Sequence, residues 1–394
     1  MKKTLIILFT MIFFNLITKA QNKEIIVDNN NRFAIDIYKE LKNNHSNLIF
    51  SPFSISSAMA MTYAGAENNT AKEFQKSLYF LEDKKIFHQE FSNLFRGIIA
   101  DKKSSVDFYN ANSLWMQKNF KINDEFLNIN KKYYSSALFH TDFNQPPQAA
   151  KEINDWVEKN TRNKITNLLQ PSALSSDTRL VLVNALYFKG DWNKPFREEK
   201  NSEEKFTISK KEEITTTFMN GQITTWYYKD CLKEIIEIPY ANRNYSMMII
   251  LPKNYPKLKW VERFLSVKCM ERYEDKKEKF KVNLSIPKFK MGSEFNLKEV
   301  FQALGMKDVF AGSADFSGIT EETRLYIDEV IHKAIIDVNE TGTEAAAATA
   351  VVMRKTSVFM ESVTFKADRP FIYAIKNTKD GTIYFLGRVM NPKK

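Results

Sequence analysis

Acid–base chemistry near neutral pH falls first to histidine, and the chain has four, His45, His88, His140 and His332. They are far apart in sequence and lack the H-E-x-x-H spacing that sets two imidazoles on one helical face around a metal. His140 and Asp142 form an isolated H-x-D, a pattern that is far more often surface polarity than a ligand pair, and no metal site is assigned. A G-x-S-x-G elbow is absent, and with it the nucleophile signature of that hydrolase type. The 11 glycines are scattered and no two of them make a phosphate-cradling loop, so no cofactor is expected. Cys231 and Cys269 are the only cysteines; they make no disulfide framework, and they read as separate thiols. No catalytic residue is assigned, and the chain does not read as an enzyme. The chemistry left is chemistry done to the chain: Arg354 and Lys355 would each present a long cation to a trypsin-like specificity pocket.

Those two cations lie in the stretch that organises the chain, Asp337 to Phe359, DVNETGTEAAAATAVVMRKTSVF. Thr341-Gly-Thr-Glu344 has capping-box spacing and Ala345 to Ala348 is the strongest helix former available, so propensity starts a helix here. Alternation points elsewhere. Thr343, Ala345, Ala347, Thr349, Val351 and Met353 are small or apolar, while the interleaved set carries Glu344 at one end and Arg354 at the other. Such a segment could enter a packed sheet without overfilling it, where overpacking costs about 1–3 kcal/mol per site. A segment that suits loop, helix and strand is a candidate switch.

The elements around it are legible from periodicity. Asn31 to Asn43 has helical spacing; Ser51-Pro52 starts a second helix, nearly apolar from Ser54 to Ala66 and therefore buried. Thr70 to Leu78 and Lys84 to Ile99 read as surface helices, and Gln148 to Asn160 as an amphipathic one. Val106 to Gln117 has strand character, and Arg179 to Phe188 is an apolar run short enough for a central strand, with Asn184 inside it. Glu234 to Tyr240, Tyr245 to Leu251 and Lys281 to Met291 follow as strands, then a short helix at Asn296 to Leu304 and a long strand at Arg324 to Asn339. Phe371 to Ile375 and Thr382 to Val389 close the chain as strands. There is no internal repeat and no low-complexity linker. The class is α+β, one interleaved domain with helices early and strands late.

At 394 residues and 43% hydrophobic content the chain can bury a sizeable core. Lys2 and Lys3, the apolar run Thr4 to Ile17 and the small residues before Gln21 read as a signal peptide spanning residues 1–20, with the mature domain at 21–394. The protein is therefore expected to be soluble and exported, periplasmic or secreted, with no membrane partner. Without the signal peptide, 55 basic residues face 47 acidic ones, a net charge of +8. No compact basic cluster interleaves with aromatics, which argues against nucleic acid. Lys84, Lys85, Lys102 and Lys103, at the two ends of one helix, are a weak candidate for polyanion binding.

VNETGTEAAAATAV followed by FKADRPFIYAI resembles the reactive-loop region of the serpin family. NLIFSPFSISSAMAMTYAGA (Asn47 to Ala66), RLVLVNALYFKGDW (Arg179 to Trp192) and FLGRVMNP (Phe385 to Pro392) resemble further family signatures in the family's order. The resemblance covers residue 28 to the end and suggests an inhibitory, bacterial-looking, exported member. It implies a large central mixed sheet, two further sheets, eight or nine helices and an exposed reactive-centre loop at about residues 341–359.

It also implies a mechanism. A serine or cysteine endopeptidase attacks the loop, is trapped as a covalent acyl-enzyme, and is carried across a monomeric inhibitor as the loop inserts into the central sheet. The family's spacing puts the reactive bond between Thr356 and Ser357, with Arg354 and Lys355 as alternatives. It makes Glu340, Gly342, Thr343, Glu344, Ala345, Ala346, Ala347 and Ala348 the hinge. It places Ser51, Ser54, Asn184 and His332 in a polar cluster where the sheet must open, and Lys288, as a partner for Glu340, with Trp192 at the top of the sheet. Thr341 stands where many members carry Glu. The alternative is a non-inhibitory, serpin-like binding or folding-helper protein whose loop never inserts.

Overall fold

α1 (Lys2–Leu41) runs through the apolar first segment and the amphipathic stretch alike, with no proline or glycine to interrupt it. The computed structural model describes residues 2–42, 46–99, 106–134, 137–343 and 361–394. β1 (Leu48–Phe50) leads into α2 (Pro52–Tyr63), which starts where the Ser51 hydroxyl accepts the Ser54 N–H and Pro52 occupies the first turn. Every residue of α2 is buried. Then come α3 (Asn68–Ser77), α4 (Lys84–Ile99), β2 (Val106–Gln117), α5 (Asp124–Tyr134), β3 (Ala137–Thr141), α6 (Pro146–Asn160) and β4 (Leu180–Asp191).

The second half is richer in strands: β5 (Ser202–Thr207), β6 (Glu213–Lys229), β7 (Lys233–Pro239) and β8 (Tyr245–Pro252), then α7 (Leu258–Arg263) and α8 (Val267–Lys276). β9 (Glu278–Pro287), β10 (Phe289–Asn296), α9 (Lys298–Ala303), β11 (Glu329–Val338) and β12 (Gly342–Thr343) follow. β13 (Ser362–Lys366), β14 (Phe371–Asn377) and β15 (Ile383–Val389) finish the chain.

Two expected strands differ in a way that bears on the site. Lys281 to Met291 is not one strand but the end of β9 and the start of β10, which belong to different sheets; the break falls at Lys288, after Pro287. The strand expected from Arg324 begins only at Glu329, because the Asp328 carboxylate turns to accept the N–H groups of Arg179 and Leu180 at the foot of β4.

Two sheets result. The smaller is mixed, six strands in the order β10-β11-β12-β4-β2-β3, with β4 parallel to β11 and β3 parallel to β2. The other has nine strands, β1-β15-β14-β8-β7-β6-β9-β13, with β5 on β6. The two further sheets expected are joined into this one ladder by β6, whose 17 residues pair with β9 and, from Tyr227, with β7. α2 packs between the sheets, against β15 on one side and β4 and β2 on the other. On the opposite face of the six-stranded sheet, α6 and the chain that follows it close a second core over β4, built from Ile153, Val157, Ile165, Val181 and Val183.

Candidate functional site

The seam between β4 and β11 is closed below and parted above. Over its lower length the strands pair in parallel, Glu329 to Ile335 against Val181 to Tyr187, with His332 opposite Asn184. Above that, β12 stands between them: Thr343 pairs antiparallel with Val338 of β11 and with Gly190 of β4, and Gly342 pairs with Asp191. Gly342 and Thr343 thus stand as a two-residue strand between β11 and β4. Gly342 fits there because it lacks a side chain; a Cβ would lie 2.1 Å from the Gly190 carbonyl oxygen.

Local hydrogen bonding explains how the chain reverses so sharply between β11 and β12. The Asn339 side-chain oxygen accepts from the Thr341 N–H (3.1 Å), the Thr341 hydroxyl (2.9 Å) and the Gly342 N–H (3.3 Å), while the Asn339 N–H donates to the Gly342 carbonyl (2.9 Å). Trp192 holds the turn from beneath. Its backbone N–H donates to the Thr341 carbonyl and its indole N–H to the Asn339 carbonyl, both at 2.9 Å. The indole also stacks on Tyr240, centroids 4.7 Å apart and planes 14° off parallel, and the Tyr240 hydroxyl lies 2.8 Å from that of Thr343. Burial pushes the Tyr240 phenol well above its ordinary pKa, so it stays protonated.

Glu340, buried at the same turn, has Lys288 Nζ at 2.9 Å and the Asn201 side-chain amide donating to it at 2.6 Å. Burial opposes its ionisation, but the bonds from Lys288 and Asn201 outweigh that and hold its carboxyl below the usual range. Lys288 reaches it because the chain crosses between sheets there.

Further down the seam the structure brings Ser51, Ser54, Asn184 and His332 together, all essentially excluded from solvent. His332 Nε2 accepts the Ser51 N–H at 3.0 Å, so its proton sits on Nδ1 and donates to the Asn184 side-chain oxygen, Oδ1, at 2.5 Å. Burial lowers the His332 pKa to about 3, and the ring is neutral under ordinary conditions. The Asn184 amide nitrogen donates to the Ser54 carbonyl and hydroxyl, each at 2.6 Å, and to Asn112 Oδ1 at 2.5 Å. Asn112, on β2 directly opposite Asn184, belongs to this cluster and was not expected. Its signal was there to read: it falls on the same alternate positions of β2 as the buried Leu114 and Met116, as Asn184 does among the apolar residues of β4. Tyr240, Asn201 and Asn339 were missed as well, and nothing local in the sequence marks them.

The remaining expected site residues, Glu344, Ala345 to Ala348, Arg354, Lys355, Thr356 and Ser357, lie outside the described residues, as do Lys102 and Lys103. Lys84 is engaged with Glu67 (2.8 Å) and the Ala66 carbonyl, whereas Lys85 is exposed. Among the described residues no group of three or more His, Cys, Asp or Glu is placed to hold a metal, Cys231 and Cys269 are free thiols, and no helix is long and apolar enough to cross a membrane.

Comparison with known proteins adds the following. The family model described as "Serpin (serine protease inhibitor)" matches residues 28–392. An uncharacterized serpin-like protein of Thermococcus kodakarensis is 37% identical over 96% of this chain and 88% of its own. Leukocyte elastase inhibitor of Xenopus tropicalis is 37% identical over 91% of this chain and 97% of its own. Among solved structures, human thyroxine-binding globulin in complex with thyroxine superposes with a TM-score of 0.86 at 29% identity, covering 94% of this chain and 99% of that one.

Proposed function

Because the chain belongs to the serpin family, we propose that it inhibits serine, and by the same route cysteine, endopeptidases by letting them cut its loop and then inserting the cut strand at the seam of β4 and β11. The observation that carries this reading is the buried pair Gly342–Thr343, already hydrogen-bonded between those strands.

Register supports it. Continuing the pairing of Thr343 down the seam sets Ala345 between Phe188 and Ile336, Ala347 between Leu186 and Ala334, and Thr349 between Asn184 and His332. Val351 then falls between Leu182 and Val330, and Met353 between Leu180 and Asp328, at the foot of β4. Each inward position is small or apolar except Thr349, which lands on the polar cluster with a hydroxyl to offer. Insertion breaks the parallel ladder between β4 and β11 and forms two antiparallel ones. The gain is about ten backbone bonds at roughly 0.5–1.5 kcal/mol each, comparable to the stability of a whole domain, and it makes the uncut fold a kinetic trap.

The chemistry belongs to the protease. Its hydroxyl or thiol attacks the Thr356 carbonyl carbon, the Thr356–Ser357 bond breaks, and the Ser357 amine leaves with a proton from the protease's own base. An ester or thioester remains. Thr356 stands thirteen positions beyond Thr343, about 43 Å of extended chain, so the acylated end clears the foot of β4. Export fits the reading: residues 1–20 are removed, the exported chain begins at Gln21, and the protein acts as a monomer in the periplasm or outside the cell.

The test is incubation with a panel of serine and cysteine proteases, followed by electrophoresis of boiled samples in detergent and mass spectrometry of the released C-terminal peptide. A boil-stable complex with a fragment beginning at Ser357 supports the proposal and its register. A fragment beginning at Thr356 in an equally stable complex moves the reactive bond to Lys355, and one beginning only at Lys355 makes Arg354 the determinant. Cleavage by every protease without any stable complex leaves a serpin-like binding protein instead.

A further inference from the structure

Both faces of α7 and the two residues after it are apolar. Leu258, Val261 and Leu265 turn inward and are buried, and so is Glu262, whose carboxylate takes Arg388 at 2.7 Å and the Tyr38 hydroxyl at 2.9 Å, with Lys42 at 3.9 Å. A surface helix with such an inner face carries polar residues on its outer one. Here the outer face carries Trp260 and Phe264, 51% and 54% exposed, where no other large apolar side chain among the described residues exceeds 38%. One helical turn apart, the two rings stack, centroids 6.0 Å apart and planes 16° off parallel, and the Arg263 guanidinium lies 5.9 Å from the centre of the indole. A contiguous pair of bare aromatics rimmed by charge marks a contact surface.

From Lys253 to Lys268 the chain carries five cations, Lys253, Lys257, Lys259, Arg263 and Lys268, against the single acid Glu262, which is buried and neutralised by Arg388. None of the five forms an ion pair among the described residues; Lys257 donates to the Cys231 carbonyl at 2.8 Å, and Lys259, Arg263 and Lys268 are exposed. The exposed acids of the adjoining turns, Glu40 at the end of α1 and Glu271 in α8, are matched by the exposed Lys39 and Arg272 beside them. Spacing along the chain suggests no compact basic cluster interleaved with aromatics, but one turn of helix makes one, setting Lys259 and Arg263 in a stripe beside Trp260 and Phe264.

We propose that this stripe docks the protein on an anionic lipid surface: Trp260 and Phe264 enter the boundary between headgroups and acyl chains, and Lys259 and Arg263, with Lys253, Lys257 and Lys268 around them, meet the lipid phosphates. A single-stranded nucleic acid would stack its bases on open aromatic faces. Here indole and phenyl stack on each other, and what they leave exposed is apolar bulk, which an acyl phase takes up. The contact is peripheral, in a protein whose described residues include no helix able to cross a membrane, and it replaces the expectation of no membrane partner. Glu262 ties α7 to Arg388 on β15 of the nine-stranded sheet, so the surface stands apart from the seam of β4 and β11 and does not depend on the inhibitor reading.

The test uses the full chain and vesicles of phosphatidylcholine with or without phosphatidylglycerol, both carrying brominated acyl chains that quench a tryptophan only on contact. Comparison with Trp260→Phe isolates the Trp260 share of the emission from the five tryptophans. Because the apolar run Thr4 to Ile17 can itself hold the chain to a vesicle, quenching of Trp260 decides and flotation alone does not. The expected result is quenching on phosphatidylglycerol vesicles at low salt, absent in Trp260→Phe and relieved by about 0.5 M salt, which shortens the screening length to about 4 Å. Titrated against lipid, the apparent affinity should fall about fivefold for each of Lys259→Gln and Arg263→Gln, and Phe264→Ser should weaken it as well. These side chains are exposed, so thermal midpoints and complex formation with proteases should match wild type in every variant. Unquenched Trp260 in a chain that floats with the vesicles overturns the proposal. So does equal quenching on phosphatidylcholine alone that neither salt nor the cation variants alter. Capture on a soluble sulfated polysaccharide or an oligonucleotide, lost in the same variants while vesicles leave Trp260 unquenched, assigns the surface to that polyanion and overturns the lipid contact too.

Discussion

The hydroxyls of Thr343 and Tyr240 lie 2.8 Å apart beneath the top of the six-stranded sheet, and Thr343 is completely buried there. Thr343 is thus fixed in the seam. Whatever enlarges it disturbs the resting fold and, under the proposed mechanism, every later step of insertion.

Thr343→Arg should convert the protein from inhibitor to substrate. The guanidinium would have to enter the buried site where Thr343 now meets the Tyr240 hydroxyl and would stall insertion at its first residue, so the protease deacylates first. The expected readout is full cleavage of the loop with no boil-stable complex, together with a lower thermal midpoint for the uncut protein. Undiminished inhibition by this variant would exclude the seam as the route.

Glu340→Lys should loosen the top of the sheet. It puts two cations where Glu340 and Lys288 now lie 2.9 Å apart, and it removes the acceptor for Asn201. Breaking a largely buried pair from one side costs about 3–5 kcal/mol, more than an exposed pair is worth, and Lys288 is partly exposed, so the lower figure is the better guide. Incubated warm, the variant should form loop-into-sheet polymers visible by size-exclusion chromatography at temperatures where the parent stays monomeric.

Thr349→Val tests the register. In the uncut protein the substitution should leave stability unchanged. Once cut, the chain would set a methyl group between Asn184 and His332 after their mutual bond has been broken, leaving buried polar atoms unpaired at about 1–3 kcal/mol. Slower complex formation, a higher proportion of cleaved free inhibitor and a lower midpoint for the cleaved form are expected. Identical behaviour of the two proteins would mean that the strand enters in a different register.

Acid should weaken the resting fold through His332. Its pKa is lowered to about 3 in the native state and is near 6.5 when unfolded, so as pH falls through 6.5 the unfolded chain takes up a proton that the native one refuses. Stability is full above about pH 6.5 and declines by roughly 1.4 kcal/mol per pH unit from this group until about pH 3. His88, also buried and lowered to about 3, adds a slope of the same sign. Urea midpoints measured from pH 7 to pH 4 should fall, and His332→Gln should remove about one proton's worth of that slope while lowering stability at pH 7.

The buried second helix and the central strand around Asn184 were legible along the chain. Each is a matter of which residue types follow one another at a period of 2 or 3.6. Sequence resemblance carried the reading further, to the pairing of Glu340 with Lys288 and of Asn184 with His332. What the chain could not disclose locally is register. That Thr343 sits opposite Gly190, and that Asn112 completes the polar cluster opposite Asn184, follow from hydrogen-bond ladders between segments far apart in sequence. A one-residue slip in any of those ladders would turn every side chain to the other face without altering one local pattern, so only the packed sheets decide it. The same holds for Lys288. In sequence it is one residue in a strand-like run, and it faces Glu340 because the chain leaves one sheet and enters another at that point, a choice made by the two cores and not by the run itself.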